Sequence, residues 1–168
     1  MENGIPHSES IWERKFHFDF EKSLWSVHFE VTKETKLLTL QWKILHCIYP
    51  TNIFLQKIGI KNSVLCENCG VRDTLEHFFV ECLTSKQVWL EVDKTIEVLI
   101  GRLPKLCTKE ILLGVPFGTN FSKKDTRIVN HVCLIGKMVI SKFKYGKFYS
   151  IRYLLETELR HRGMLQRI

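Results

Sequence analysis

The chain has 168 residues, of which 45% are hydrophobic, and it carries 25 basic against 18 acidic residues. This length suits one compact domain, and the absence of any apolar run of about 18 residues excludes a membrane-spanning protein. The N-terminal segment lacks the basic start and apolar core of an export signal. We therefore expect an intracellular protein of the nucleus or cytoplasm, where thiols stay reduced and clustered cysteines favour metal binding over disulfides.

The spacing of apolar residues predicts a mostly α-helical fold, and strand signals are weak throughout. We divide the single domain into an N-terminal extension (residues 1–20), N-terminal helices (21–63), a cysteine-containing knuckle with its following helix (64–90), and C-terminal helices with a basic tail (91–168).

Two helices are predicted before the knuckle. Thr32 can begin the first, Pro50 prevents its continuation, and one face carries Leu37, Leu38, Gln41, Ile44, Leu45 and Ile48. Thr51 or Asn52 can begin the second, which is short and stops before Gly59.

The remaining helices follow the knuckle. Asp73 or Thr74 can begin a short helix, and the next one presents Val88, Val92, Ile96 and Leu99 on one face. A brief helix ends at Gly114. Ser122 followed by Asp125 resembles a capping box with Asp in place of Glu, which predicts the start of a long helix. The last helix is amphipathic, with Ile151, Leu154, Leu155 and Leu159 on one side.

The basic excess belongs to the C-terminal part of the chain. From Gly136 to Ile168, eight basic residues accompany only Glu156 and Glu158, whereas the preceding 135 residues are nearly neutral. This asymmetry favours a polyanionic partner such as nucleic acid, because binding to phosphates releases counterions. A solvated, soluble surface is the alternative explanation.

Three cysteines and one histidine lie close together in the sequence, with the spacing C-x2-C-x7-H-x4-C. They are Cys66, Cys69, His77 and Cys82. A C-x2-C turn lets two thiolates converge while loop amides point at the sulfurs, and Gly70 can supply the positive φ that such a turn needs. Because five α-helical residues rotate a side chain by about 140°, we expect a distorted helix end near Cys82.

Three thiolates and one imidazole complete the tetrahedral shell of zinc and leave no position for an activated water. The cluster therefore predicts one structural Zn²⁺ in a small CCHC zinc knuckle or hairpin. An adventitious group of thiols is the alternative. A catalytic zinc deaminase is disfavoured, because its H-x-E motif precedes its P-C-x-x-C motif, and the order here is reversed.

The order of these segments resembles the zinc-binding C-terminal region of reverse transcriptases from non-LTR retrotransposons, the long interspersed elements. The resemblance covers roughly residues 20 to 160, and its most specific part is "CENCGVRDTLEHFFVEC". It implies that Cys66, Cys69, His77 and Cys82 are zinc ligands. It also implies a segment that follows the polymerase and helps to bind template RNA or target DNA.

We expect no enzymatic activity and no small-molecule substrate. Polymerases need paired carboxylates for two metal ions, and none of the four aspartates is adjacent to another. The polymerase and endonuclease portions of the family are missing, which indicates a remnant or an excised C-terminal piece.

The expected function is RNA or DNA binding, with phosphate contacts from Lys137, Lys142, Lys144, Lys147, Arg152, Arg160 and Arg162. The interleaved aromatics Phe143, Tyr145, Phe148 and Tyr149 suit a single strand, although they could instead anchor the final helices to the core. The alternative function is a protein-interaction or structural fragment that docks on a parent polymerase, or a decayed remnant, without nucleic-acid binding.

Overall fold

The computed structural model describes residues 7–119, 121–146 and 150–163, and the statements below concern these residues. Helices and one π-turn account for the regular structure: α1 (His7–Phe16), α2 (Ser23–Val31), α3 (Thr35–Leu45), α4 (Asn52–Lys57), the π-turn (His77–Glu81), α5 (Leu83–Ile100), α6 (Thr108–Leu113), α7 (Lys123–Tyr145) and α8 (Ile151–His161). Within the described ranges no strand forms, and a single isolated bridge joins Leu65 to Arg72. The predicted mostly helical fold is confirmed.

Polar side chains at the predicted positions cap several helices. The side-chain oxygens of Thr51, Thr74 and Ser122 each accept a hydrogen bond from a backbone N–H three residues later, as an N-terminal cap does. Thr32 does not begin a helix as predicted. It follows the last residue of α2, and its hydroxyl accepts a hydrogen bond from the Glu34 N–H.

Helix α3 is shorter than its sequence pattern predicted. It ends at Leu45, well before Pro50, because the backbone turns at Cys47, which has φ +56°. Its buried face consists of Leu37, Leu40, Gln41, Ile44 and Leu45. Ile48 lies beyond the helix end and is 37% exposed, so the prediction that it continues this helical face is wrong.

Helix α7 forms the centre of the domain and packs against α2, α3, α5 and α8. The predicted face of α5 meets it, and Val88, Val92 and Ile96 are fully buried. Gly136 permits this close approach, because a Cβ at that position would lie only 2.8 Å from Val92 Cγ2. The apolar side of α8 is also buried against the core, as predicted.

The segment predicted as an N-terminal extension contributes to the core where the structure describes it. Trp12 of α1 is fully buried, and its indole N–H donates to the carbonyl of Leu45 at 2.9 Å. Lys15 forms an ion pair with Glu76, immediately before the predicted ligand His77. Helix α1 therefore braces the segment that carries the candidate metal ligands.

None of the described helices combines the length with the apolar character that a membrane crossing would require.

Candidate metal centre

The loop between Cys66 and Cys69 forms a tight knuckle. The Cys66 N–H donates to the carbonyl of Val71 at 2.7 Å, and the Gly70 N–H donates to the carbonyl of Cys66 at 2.8 Å. Gly70 has φ +68°, which confirms the predicted need for glycine. The amides of Asn68 and Cys69 donate to the Cys66 sulfur, as expected of a thiolate-binding turn.

The start of α4 holds this knuckle in position. The Asn52 N–H donates to a carboxylate oxygen of Asp73 at 2.8 Å, and the Asn52 side-chain amide donates to the carbonyl of Leu65 at 2.6 Å. These bonds join both ends of the knuckle to one point at the beginning of α4, so the two cysteines of the turn have a fixed base.

The predicted distortion before Cys82 is a π-turn. The Cys82 N–H donates to the carbonyl of His77 at 2.9 Å, a bond that spans five residues instead of four. Five residues of α-helix would turn Cys82 about 140° away from His77, whereas the wider turn keeps the two on one side. Cys82 itself has extended ψ, 141°, and separates the π-turn from α5.

Side chains from α5 and α7 satisfy carbonyls of the π-turn. Ser85 Oγ and Lys144 Nζ donate to the carbonyl of Phe78 at 2.6 and 2.7 Å, and the Trp89 indole N–H donates to that of Phe79 at 2.5 Å. A buried carbonyl without a partner costs about 1–3 kcal/mol, so these bonds make the irregular turn tolerable.

The four predicted ligands come together at the junction of the knuckle and the π-turn. Their ligand atoms, one per residue, all lie within 4.8 Å of one another. The Cys82 sulfur is 3.9 Å from that of Cys66 and 3.5 Å from that of Cys69. Zinc–sulfur bonds of about 2.3 Å at tetrahedral angles place sulfurs roughly 3.8 Å apart, so the observed spacing matches one shared ion.

The protonation preferences of the cluster also suit a metal. Burial, together with the positive charge of Lys144, lowers the pKa of His77, which favours the neutral imidazole with a lone pair to offer a metal. Its Nε2 is buried without a hydrogen-bond partner among the described residues. A bound cation would satisfy this nitrogen.

The cysteines differ in how readily they ionise. Burial raises the pKa of the Cys66 thiol despite its two amide contacts. Burial also opposes ionisation of Cys82, but the Thr84 amide, the Lys144 charge and the thiols of Cys69 and Cys66 outweigh it and lower the pKa. Lys144 therefore stabilises negative charge at the cluster.

The donor set fits one structural zinc ion. The four residues would hold it through three sulfurs and one ring nitrogen, which fills the tetrahedral shell and leaves no open position for a reactant. The remaining cysteines, Cys47, Cys107 and Cys133, lie outside the cluster. The centre can therefore fix the knuckle against the core, and its closed shell offers no site for substrate activation.

Two of the seven predicted phosphate contacts are wrong. Lys137 is fully buried, and its ammonium donates to Gln41 and to the carbonyls of Ile111 and Leu112 at the end of α6. The Arg162 side chain is 8% exposed and forms ion pairs with Glu34 and Glu158. Both side chains are engaged inside the fold, so Lys137 has no exposed surface and Arg162 very little to offer a phosphate.

The other five predicted contacts differ in how free their side chains are to bind phosphate. Lys142 pairs with Glu158, and Lys144 is held against the π-turn with its ammonium 3.9 Å from the centroid of the Phe78 ring. Arg152 is exposed and pairs with Glu156, whereas exposed Arg160 forms no ion pair within the described ranges. Lys147 lies outside the described residues, as do the aromatics Phe148 and Tyr149.

The supporting residues Ser85, Trp89 and Glu76 were not identified from the sequence. Trp89 and Ser85 read as ordinary members of an amphipathic helix, and nothing in their spacing indicates a hydrogen bond to the π-turn. Both side chains donate to carbonyls of the π-turn, and the position of those carbonyls depends on a turn that departs from the α-helical period. Gly70 and the cap at Thr74 were identifiable, because their signals are local.

Comparison with known families agrees with this geometry. Residues 7–89 match a family model described as zinc-binding in reverse transcriptase, and all four cluster residues lie within the match. Searches of curated proteins and of solved structures found no significant match. The family match and the Cys3His cluster together support a zinc-binding module associated with reverse transcriptase in this part of the chain.

Proposed function

We propose that the chain is an accessory module of a LINE-type reverse transcriptase, which binds RNA or DNA and has no polymerase activity of its own. In this proposal the zinc ion is structural. The module acts inside the cell, in the nucleus or cytoplasm, where it holds template or target nucleic acid for a separate polymerase domain.

The observation that carries the proposal is the closed Cys3His cluster inside the matched segment. Three sulfurs and one imidazole leave no open coordination position, so the ion favours an architectural role over catalysis. An architectural zinc in a segment similar to reverse-transcriptase regions supports a module that positions surfaces for nucleic acid.

The LINE-type assignment is supported by the order of segments around the cluster. A helix precedes "TNIFLQKIGI", the cysteine motif follows, and a long helix with the basic end "ISKFKY" comes later. Nucleic-acid binding is supported by the net charge of +7 and by exposed basic side chains such as Arg152 and Arg160. Neutralising phosphates with such residues releases counterions and drives association.

The test combines metal content with nucleic-acid binding. We expect about one zinc per chain in purified, reduced protein, and RNA or DNA binding that weakens steeply with salt and decreases after chelation. Cys69→Ser should lower metal content and binding together, whereas Cys107→Ser, which alters an exposed cysteine outside the cluster, should change neither. The absence of measurable RNA or DNA binding near 50 mM salt would refute the proposal.

A second candidate is a protein-binding fragment that docks on a parent polymerase. It is favoured by a row of exposed apolar side chains on α5, in which Leu83, Leu90 and Val98 are 65%, 61% and 79% exposed. Their spacing of seven and eight residues places them on one helical face. Replacing Leu90 and Val98 by serine should then abolish binding to the polymerase domain and leave RNA binding unchanged.

A further inference from the structure

We propose that single-stranded nucleic acid binds in a groove between α3 and the C-terminal end of α7. The inference rests on the proposed function and assigns it a site whose phosphate contacts come from α3 instead of the basic residues after Gly136. The α3–α7 groove is defined here by Lys36, Leu40, Lys43, Pro50, Met138 and Tyr145.

The volume and the apolar lining of the groove suit an unpaired base. Its volume is about 490 Å³, and Leu40, Pro50 and Met138 supply apolar surface. Bases of a single strand bury their faces on apolar and aromatic side chains, whereas the bases of a duplex are already stacked. An apolar lining of this kind therefore favours single strands over duplexes.

Tyr145 provides an aromatic surface that is held in place. It is 59% exposed, its hydroxyl donates to the carbonyl of Pro50 at 2.6 Å, and its ring packs against Phe78 with a centroid distance of 5.8 Å. The first contact fixes the ring at the edge of the groove, and the second connects it to the π-turn of the metal centre. A ring that is both exposed and anchored can stack a base with little loss of side-chain entropy.

Two lysines supply positive charge along one side of the groove. Lys36 and Lys43 are seven residues apart on α3 and therefore lie on the same face. Neither forms an ion pair or a side-chain hydrogen bond within the described part of the chain, and no acidic residue lines the groove. Unlike Lys137, Lys142 and Arg162, they are available to phosphates.

The charge pattern favours a nucleic-acid strand over an apolar peptide as the occupant. A second cavity of about 390 Å³ is also lined by Tyr145, next to the knuckle, and is bordered by Lys61 and Lys144 as well as Glu67 and Asp73. Because this cavity carries both signs of charge, we place the phosphates at α3 and the stacked base at Tyr145.

The experiment measures binding of fluorescein-labelled U12 and dT12 to the zinc-loaded full chain by anisotropy over a range of salt concentrations. Lys36→Ala/Lys43→Ala should reduce the salt slope by about 1.4, since each single-strand phosphate contact contributes about 0.7. The matched control is Lys105→Ala/Lys124→Ala, which removes the same charge from exposed sites away from the groove. The control should leave the slope close to that of the unmodified chain.

A second pair of variants tests the stacking surface. Tyr145→Leu should weaken binding about fivefold or more, because stacking on an aromatic ring contributes strongly per base. Tyr145→Phe retains the ring and should bind within about twofold of the unmodified chain. Circular dichroism and zinc content of every variant exclude unfolding as the cause.

The possible outcomes distinguish failure of the proposed groove from failure of the proposed function. If the unmodified chain binds both oligonucleotides but the groove and control variants lose equal slope, the α3–α7 groove is wrong and the proposed function survives. If the unmodified chain binds a duplex but neither oligonucleotide, the groove is wrong and the proposed function survives, whereas absence of binding to the duplex and to both oligonucleotides near 50 mM salt refutes the function and the site together. Duplex binding as tight as single-strand binding would also refute the groove, whereas preference for U12 or dT12 identifies the natural strand.

Discussion

Removing the zinc ion should unfold the knuckle and leave the helical core folded. The ten residues from Val64 to Asp73 contain only two buried side chains, those of Cys66 and Asp73. Ordering ten residues costs roughly 10–20 kcal/mol of backbone entropy. The three backbone hydrogen bonds donated by the Cys66, Gly70 and Asp73 amides, with the two donated by Asn52, contribute only about 3–7 kcal/mol in return.

A structural zinc site contributes about 10–16 kcal/mol, which is close to the amount that the knuckle lacks. The π-turn differs from the knuckle, because Phe78 and Phe79 are buried against Tyr49 in the main core. Burying each of these rings stabilises by about 1.5–3 kcal/mol without any metal. Chelation should therefore open the knuckle while the segment after it remains packed.

Hydrogen exchange measured before and after chelation tests this expectation. The amides of Cys66, Gly70 and Asp73 should lose their protection, whereas those in the middle of α5 and α7 should keep it. Cys69→Ser should reproduce the effect without a chelator, and Cys107→Ser should not. Unchanged protection in demonstrably metal-free protein would refute the reasoning, and loss of protection throughout α5 and α7 would show that zinc stabilises the whole core.

Three further predictions concern the core. Gly114→Ala should destabilise by about 3 kcal/mol or more, because Gly114 has φ +101° and a Cβ there would lie 2.8 Å from the buried His28 ring. Gly118→Ala, at φ +87° with no atom within 4 Å of its Cβ, should cost only about 1 kcal/mol, and equal changes in melting temperature would contradict the steric argument. Trp89→Phe should cost about 1–3 kcal/mol in denaturant unfolding by leaving the Phe79 carbonyl unpaired, whereas Trp42→Phe, at a side chain 48% exposed, should cost less. Burial lowers the pKa of Lys137 from 10.5 to about 7, so between pH 7 and 9 the unfolded chain binds the proton that the folded chain has released. The free energy of unfolding should then rise with pH by up to about 1.4 kcal/mol per unit, and a slope unchanged in Lys137→Met would assign the rise to another group.

The ligand set and most helix positions are determined by local sequence. Cys66 and Cys69 share one turn, Gly70 supplies its positive φ, and Thr51, Thr74 and Ser122 cap helices through bonds to residues three positions later. Each of these features depends on a few neighbouring residues, so its signal is present in a short stretch of chain. The need for a distortion before Cys82 could also be predicted, because it follows from the helical period alone.

Only the tertiary structure decided which charges reach the surface and how the distortion is stabilised. Lys137 and Arg162 are as basic in sequence as Arg160, yet carbonyls at the end of α6 surround the first and two glutamates enclose the second. The α3–α7 groove likewise joins residues about 100 positions apart, such as Lys43 and Tyr145. Burial and ion pairing depend on packing between distant segments, and that packing results from the summed contacts of the whole core, which no local pattern contains.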